Sequence, residues 1–397
     1  MNVIDFLKNS VNNYPEKIAL IFESDSFTFE ELWKLVEISS ISISSLNTKN
    51  VISLMSENSA SFVISYLGII NSGKIPHLIP PEISETNLLA QITSSDSSTI
   101  ICSKNIYHKI LKYNSIKIPI FQFDKILKNI DNSTIDSKSN DMAYLIYTSG
   151  TTSIPKGVGI THFMVDFTTN NIIKILKYTN SDIDVLPLPL HHSFGLGCLH
   201  TSLCVGSTLI LLKNTNDLQN ILDTIKKFNA TTLAAIPSTL TKLLKFDKDD
   251  LQNYFSSIRL IITNSTKIPI NTIQNFKTII SNGNLATYYG LTEASRSTFM
   301  IFDKNSSYDE SVGRPAPNVK IKIVNNDNEK SRNGEIWIKG DNVIKSYWEN
   351  KLADENLDNG WLRTGDLGHI DDGYLYLLGR TDDVINIGGE KVLPDEI

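Results

Sequence analysis

The chain has 397 residues, 41% of them hydrophobic and 20% charged, with a formal net charge of -6. That length exceeds what one hydrophobic core usually fills, so more than one packed unit is expected. A mildly acidic, mixed-charge surface without blocks of like charge gives no footprint for nucleic acid, and no stretch approaches the roughly 20 apolar residues of a membrane span.

The N-terminus MNVIDFLKNSVNNYPEK carries early acidic residues and lacks a basic segment ahead of an apolar run, so it does not read as a secretory signal. Cys102, Cys198 and Cys204 are an odd set without metal-ligand spacing. They are expected to be small buried hydrophobes in a reducing cytoplasm.

Thr28 followed by Glu31 predicts a capping box ahead of the periodic run Leu32, Leu35, Val36. Val51 to Met55 reads as a buried strand. Asn58 is taken to open the next helix, with Phe62, Leu67 and Ile70 apolar and Gly73 as its stop. Strands follow near Thr99 to Cys102 and from Ala143. The middle repeats this grammar, with strands at Thr208 to Leu212, Thr232 to Ile236 and Arg259 to Thr263, and helices at Leu218 to Phe228 and Ser238 to Leu244. Pro269 is expected in the first turn of a further helix.

Strands alternating with helices imply mainly parallel sheets covered on both faces. From Val319 the texture changes to VKIKIV, GEIWIKG and YLYLLG between Asn, Asp and Gly turns. The expected fold class is therefore α/β, with two α/β subdomains (about 1–165 and 166–310) and a small β-barrel-like subdomain (about 311–380).

The most informative segment is YTSGTTSIPKGV, Tyr147 to Val158. It leaves an apolar strand into a turn of hydroxyl and Gly residues whose amides and hydroxyls can surround phosphate oxygens, with Lys156 adding positive charge. Pro155 stands where the Gly-Lys-Ser/Thr phosphate loop needs Gly. By itself such a turn is more often a plain loop. Further along come LPLHHSFG (Leu188 to Gly195), YYGLTEAS (Tyr288 to Ser295), WLRTGD (Trp361 to Asp366) and GRTDDVINIGGEKVLPDEI (Gly379 to Ile397). Alone, each has an ordinary explanation: a histidine pair on a surface or in a core, a polar turn, a loop.

Together, in this order, these segments resemble the signatures of the acyl-adenylate-forming (AMP-binding) superfamily, which includes acyl-CoA synthetases, luciferases and peptide-synthetase adenylation domains. Ser153 departs from that pattern, which usually has Gly there, and TNSTKIP after Thr263 replaces a Gly- or Ala-rich turn near adenine, leaving Asn264, Ser265 and Thr266 in its place. The resemblance implies that Thr148, Ser149, Gly150, Thr151, Thr152 and Lys156 embrace the ATP phosphates. It implies that His192 sits between an acid pocket and a pantetheine tunnel, that Tyr289 stacks on adenine beside Gly290, that Thr292 bonds the α-phosphate, and that Glu293 holds Mg2+. Asp366 would receive the ribose hydroxyls, Arg380 would reach the ribose or phosphates, and Asp382 would mark a hinge.

The implied reaction joins a carboxylic acid to ATP as acyl-AMP and pyrophosphate, with CoA or a phosphopantetheine carrier as the second substrate. Catalysis falls to Lys156, His192, Thr292 and Glu293. Residues 1–380 would be the large domain, and 381–397 the hinge and the truncated start of a small C-terminal domain that is otherwise absent. The family's C-terminal lysine would then be missing, and the remainder is expected on another chain or in a longer protein. Amino-acid-activating relatives place Asp where this chain has Gly195, so the resemblance favours a fatty or other apolar acid, then an aryl acid. A catalytically incomplete nucleotide- or acyl-binding partner is the alternative.

Overall fold

The computed structural model describes the chain except Asn47 and residues 128–139, 149–155, 265–266, 305–306, 326–330, 349–355, 384, 388–389 and 393–397. The chain divides into two compact units, Met1–Ala234 with Ser346–Lys351, and Ala235–Lys345 with Leu352–Ile397.

In the first unit one sheet runs in the order Ile120–Gln122, Ile100–Cys102, Val51–Met55, Ile75–Ile79, Met142–Thr148, Lys156–Thr161. Its strands are parallel until the last pair, which is an antiparallel hairpin. Val51–Met55 and Ile75–Ile79 are buried at every residue, as a parallel sheet covered on both faces requires. The same unit carries Thr232–Ala234, Ile183–Leu186, Thr208–Leu211 and Ile18–Phe22 as parallel neighbours, closed by the antiparallel strand Asp25–Thr28.

The covering helices obey their caps. Thr28 and Glu31 form the anticipated reciprocal box at the head of Phe29–Ser45. Asp217 caps Leu218–Phe228, and Asn229 ends that helix in the left-handed region. Gly68 lets the helix Ala60–Asn71 approach the serines of Phe29–Ser45, since a Cβ there would stand 2.4 Å from Ser39 Oγ. That helix begins one residue later than the sequence suggested. Ser59 is its cap and accepts from Phe62 N. Asn58 instead donates to the carbonyls of Leu188 (2.8 Å) and Leu212 (2.9 Å) and accepts from Leu190 N. A buried amide with long-range partners is unavailable for local capping.

In the second unit Leu260–Thr263 pairs in parallel with Asn284–Leu291, which turns back antiparallel into Ala294–Phe302 and then Arg314–Pro315. Pro269 is the cap residue of Ile270–Ile279, one position before the expected first turn. A curled antiparallel sheet follows, built from Val319–Val324, Asn333–Gly340, Trp361–Asp371, Leu357–Asp358 and Tyr374–Arg380. Its strands mix buried with half-buried and exposed residues, and Ile336, Trp337 and Ile338 are buried in succession. The α/β class with mainly parallel sheets and a separate half-barrel is as read from the sequence.

Cys102 is buried, whereas Cys198 and Cys204 are half-buried, a correction to the expectation for all three. Among the described residues no helix is long and apolar enough to cross a membrane.

Candidate active site

The second unit assembles the residues expected to face the nucleoside around one hairpin. Asn284–Leu291 and Ala294–Phe302 pair with a register shift at Gly290, and Thr292 and Glu293 form the connecting turn, both half-buried. Gly290 is required there because a Cβ would lie 2.5 Å from Arg296 N and 2.6 Å from Ala294 O. The turn is pinned from outside by Ile344 N, which donates to the Glu293 carbonyl at 2.9 Å.

Tyr289, only 7% exposed, donates its hydroxyl to Asp366 Oδ2 at 2.7 Å. Asp366 lies opposite Arg380 in the curled sheet, with Arg380 Nε 3.4 Å from Asp366 Oδ1. Gly365, at φ 72°, makes the bend that presents Asp366, and its N–H is held by Glu335 Oε1 at 3.0 Å. Burial raises the Asp366 carboxyl above the ordinary aspartate range, against the opposing pull of the Tyr289 hydroxyl and the Arg380 guanidinium. The Arg380 side chain is about half exposed, so solvent screens its charge and burial prevails. Tyr289, Gly290, Thr292 and Glu293 at one hairpin end thus meet Asp366 and Arg380, which face each other on paired strands of the curled sheet.

Glu335 was not singled out from the sequence. It accepts from Gly365 N and from Trp337 Nε1 (2.9 Å), and lies 3.5 Å from Arg363 Nε. A carboxylate two residues before a strand tryptophan was its only signal.

In the first unit Thr148 and Lys156 are paired across the antiparallel hairpin, the last and first residues of its strands. Ser149, Gly150, Thr151 and Thr152, together with Ser153 and Pro155, lie outside the described residues, as do Ser265 and Thr266 of the second unit.

His192 caps the helix Ser193–Val205, and its carbonyl accepts from Leu196 N at 3.0 Å. Its ring lies 4.4 Å from that of His191. Burial lowers the His191 imidazole to about 3, with the His192 ring also disfavouring its charge. The His192 imidazole is lowered too by loss of solvent around its ring, against the pull of Glu82, although the residue as a whole is exposed. The pair is therefore neutral near pH 7. Gly195 packs so tightly that a Cβ would stand 2.3 Å from Pro189 O. The absence of a carboxylate at that position thus has a steric reason as well as an electrostatic one. Beside His191 opens a cavity of about 640 Å3 at the C-terminal ends of the parallel strands, with Glu57, Glu82, Ser103 and Lys104 in its wall.

No group of three or more His, Cys, Asp or Glu that could hold a metal occurs among the described residues. Mg2+ does not need one, since it is commonly held by one or two carboxylates plus substrate phosphates and water. Glu293, a hard oxygen donor in a half-buried turn, fits that chemistry.

Residues 7–348 match the family model described as AMP-binding enzyme. The 2-succinylbenzoate–CoA ligase of Bacillus subtilis is 29% identical over 96% of this chain and 79% of its own. The long-chain-fatty-acid–CoA ligase of the same organism is 28% identical over 98% of this chain and 79% of its own. Among solved structures, the Bacillus subtilis o-succinylbenzoate coenzyme A synthetase in complex with ATP and magnesium ion superposes with a TM-score of 0.88, at 28% identity over 98% of this chain and 82% of that one. The chain belongs to the AMP-binding enzyme family and is an acyl-adenylate-forming enzyme of the acid–thiol ligase type.

Proposed function

We propose that this chain adenylates an apolar carboxylic acid and passes the acyl group to a thiol, and that the residues gathered above divide the work. The observation that carries the reading is the linked cluster in which Tyr289 bonds Asp366 and Asp366 faces Arg380. A tyrosine ring held in one plane by its own hydroxyl is a preorganised aromatic face for a purine. A half-buried carboxylate has lone pairs to accept two ribose hydroxyls, and Arg380 keeps a cation at the same edge.

Acid and ATP are both anionic, so acceleration comes from neutralising charge and holding the reacting atoms in line. In this reading Thr148 and Lys156 with Ser149, Gly150, Thr151 and Thr152 take the phosphates, Thr292 bonds the α-phosphate, and Gly290 keeps the backbone close to the nucleotide. Glu293 would hold Mg2+, which when bound offsets the charge of the phosphate oxygens. His192, an exposed residue whose imidazole is lowered from the ordinary histidine value, borders the acid without adding a cation in this reading.

The acid's class rests on Gly195, which offers no partner to an α-amino group. A fatty acid is the first reading, and the name of the fatty-acid–CoA ligase relative supports it. An aryl acid is the second. It is favoured by the name of the 2-succinylbenzoate–CoA ligase relative. CoA is the acceptor that the relatives' names suggest, and a phosphopantetheine carrier protein or a chain supplying a C-terminal domain is the further partner proposed. A division of the sequence near residues 165, 310 and 380 and a cytoplasmic location are proposals of the same standing.

The test is acid-dependent exchange of labelled pyrophosphate into ATP across fatty, aryl, dicarboxylic and amino acids, with Glu293→Ala as control. Exchange that requires an apolar acid and is lost in the control is the expected result. Retained ATP binding with no exchange for any acid would instead favour the incomplete, ligand-binding alternative.

A further inference from the structure

The residues Tyr347 and Trp348 fall within Ser346–Lys351, a short segment that belongs to the first unit although its sequence neighbours belong to the second. It lies on the hairpin strand that begins with Lys156. Trp348 N donates to the Gly157 carbonyl at 2.8 Å. The two glycines of Lys156-Gly157-Val158-Gly159 share one face of that strand, and that face receives the indole. A Cβ on Gly157 would lie 2.9 Å from Trp348 Cβ, and one on Gly159 would lie 3.4 Å from Trp348 Cε3. The indole packs on the cluster of Val51, Ile75 and Leu145 with Met142 and Tyr147, so the segment is fixed to the sheet core.

With Trp348 anchored, the neighbouring Tyr347, 6% exposed, presents its ring to the lysine: Lys156 Nζ stands 5.5 Å from the ring centroid. That is cation–π distance. We propose that Tyr347 is a positioning residue for Lys156, holding its ammonium ready for the ATP phosphates in the adenylation read above. A lysine ammonium rides on a flexible four-carbon stem. Restricting it before the nucleotide arrives lowers the ordering cost of binding.

The alternative is that Tyr347 merely fills space, and a shape-preserving series separates the two. In the intact chain, Tyr347 is replaced by phenylalanine, by a ring-fluorinated phenylalanine that keeps the shape but removes the negative ring face, and by leucine. KM for MgATP and for the acid are read by pyrophosphate exchange, with MgATP affinity measured separately by calorimetry. Tyr347→Phe should match the wild type. The fluorinated residue should raise the MgATP KM and dissociation constant by about 3- to 30-fold, the span of such a contact, with acid KM unchanged. Tyr347→Leu should do the same if folded, and the difference should vanish in a Lys156→Ala background.

Equal MgATP constants for the phenylalanine and fluorinated variants would overturn the proposal whether or not the leucine variant folds, as would acid and ATP constants moving together. Wild-type chain that binds MgATP without exchanging it contradicts the adenylation reading alone, and calorimetry then still decides the role of Tyr347. Wild-type chain that does neither overturns both.

Discussion

The end proposed to take the nucleoside and the end proposed to take the acid are built on opposite principles. Around Tyr289, Asp366 and Arg380 the chain spends polar and charged side chains, each tied to another by a hydrogen bond or ion pair. Around His191, His192 and Gly195 it uses one buried and one exposed imidazole, both lowered from the ordinary histidine value, and backbone contact, with a glycine where any side chain would collide with Pro189. A ligand that never changes suits fixed polar partners, whereas a ligand that differs among relatives is selected by space. Polar partners are few and conspicuous in a sequence; the shape of a space is not.

The largest test of that contrast is Asp366→Ala. Removing a carboxylate proposed to accept two ribose hydroxyls should lower kcat/KM for ATP by about 100-fold or more, with the KM for the acid little changed. Steady-state exchange at varied ATP and varied acid checks it, and an equal loss on both sides would dissolve the distinction between the ends.

Gly195→Asp comes next. If the acid end is set by packing, restoring the carboxylate that amino-acid-activating relatives carry should destabilise the fold by about 2–3 kcal/mol and confer no amino-acid-dependent exchange. Urea unfolding and the acid screen read the two parts; a stable variant that activates an amino acid would show that charge, not room, governs this corner.

For a single substitution, the smallest effect is on the pH dependence of stability. Burial holds His77 and His191 at about 3 and His162 at about 4, below the ordinary histidine value of 6.5. These groups stay neutral when folded and protonate more readily when unfolded. Their stabilising contribution is therefore complete above about pH 6.5 and is lost as pH falls toward 4 and 3, at about 1.4 kcal/mol per pH unit for each group. Asp366 has the opposite sense: with its carboxyl raised, its contribution is present at low pH and is lost as pH rises through that raised value. Urea midpoints between pH 7 and 5 should fall, and His191→Gln should flatten the slope by one proton.

Where local chemistry decides structure, the sequence was a sufficient guide. The helix Leu218–Phe228 was read to its ends because Asp217 and Asn229 cap it from within a few residues, and the Thr28–Glu31 box is equally local. Asn58 was misread because its partners, Leu188 and Leu212, lie far along the chain. The residues of the proposed nucleoside cluster are legible only through the resemblance of their motifs to the family's, since each segment alone reads as an ordinary turn or loop. Their mutual hydrogen bonds, the supporting role of Glu335 and the steric meaning of Gly195 depend on register and close approach, which residue types alone do not encode.

The two-visit path of the chain through its first unit bears on how the protein is made. Gly157 and Gly159 leave the ribosome long before Trp348, and until the tryptophan arrives the glycine face of their strand has Tyr147 and Met142 against it but lacks the indole. Closing so long a loop adds only a slowly growing entropy cost, yet contacts between distant residues form late. The hairpin that carries Thr148 and Lys156 therefore gains its indole contact only after the residues up to Trp348 have been translated.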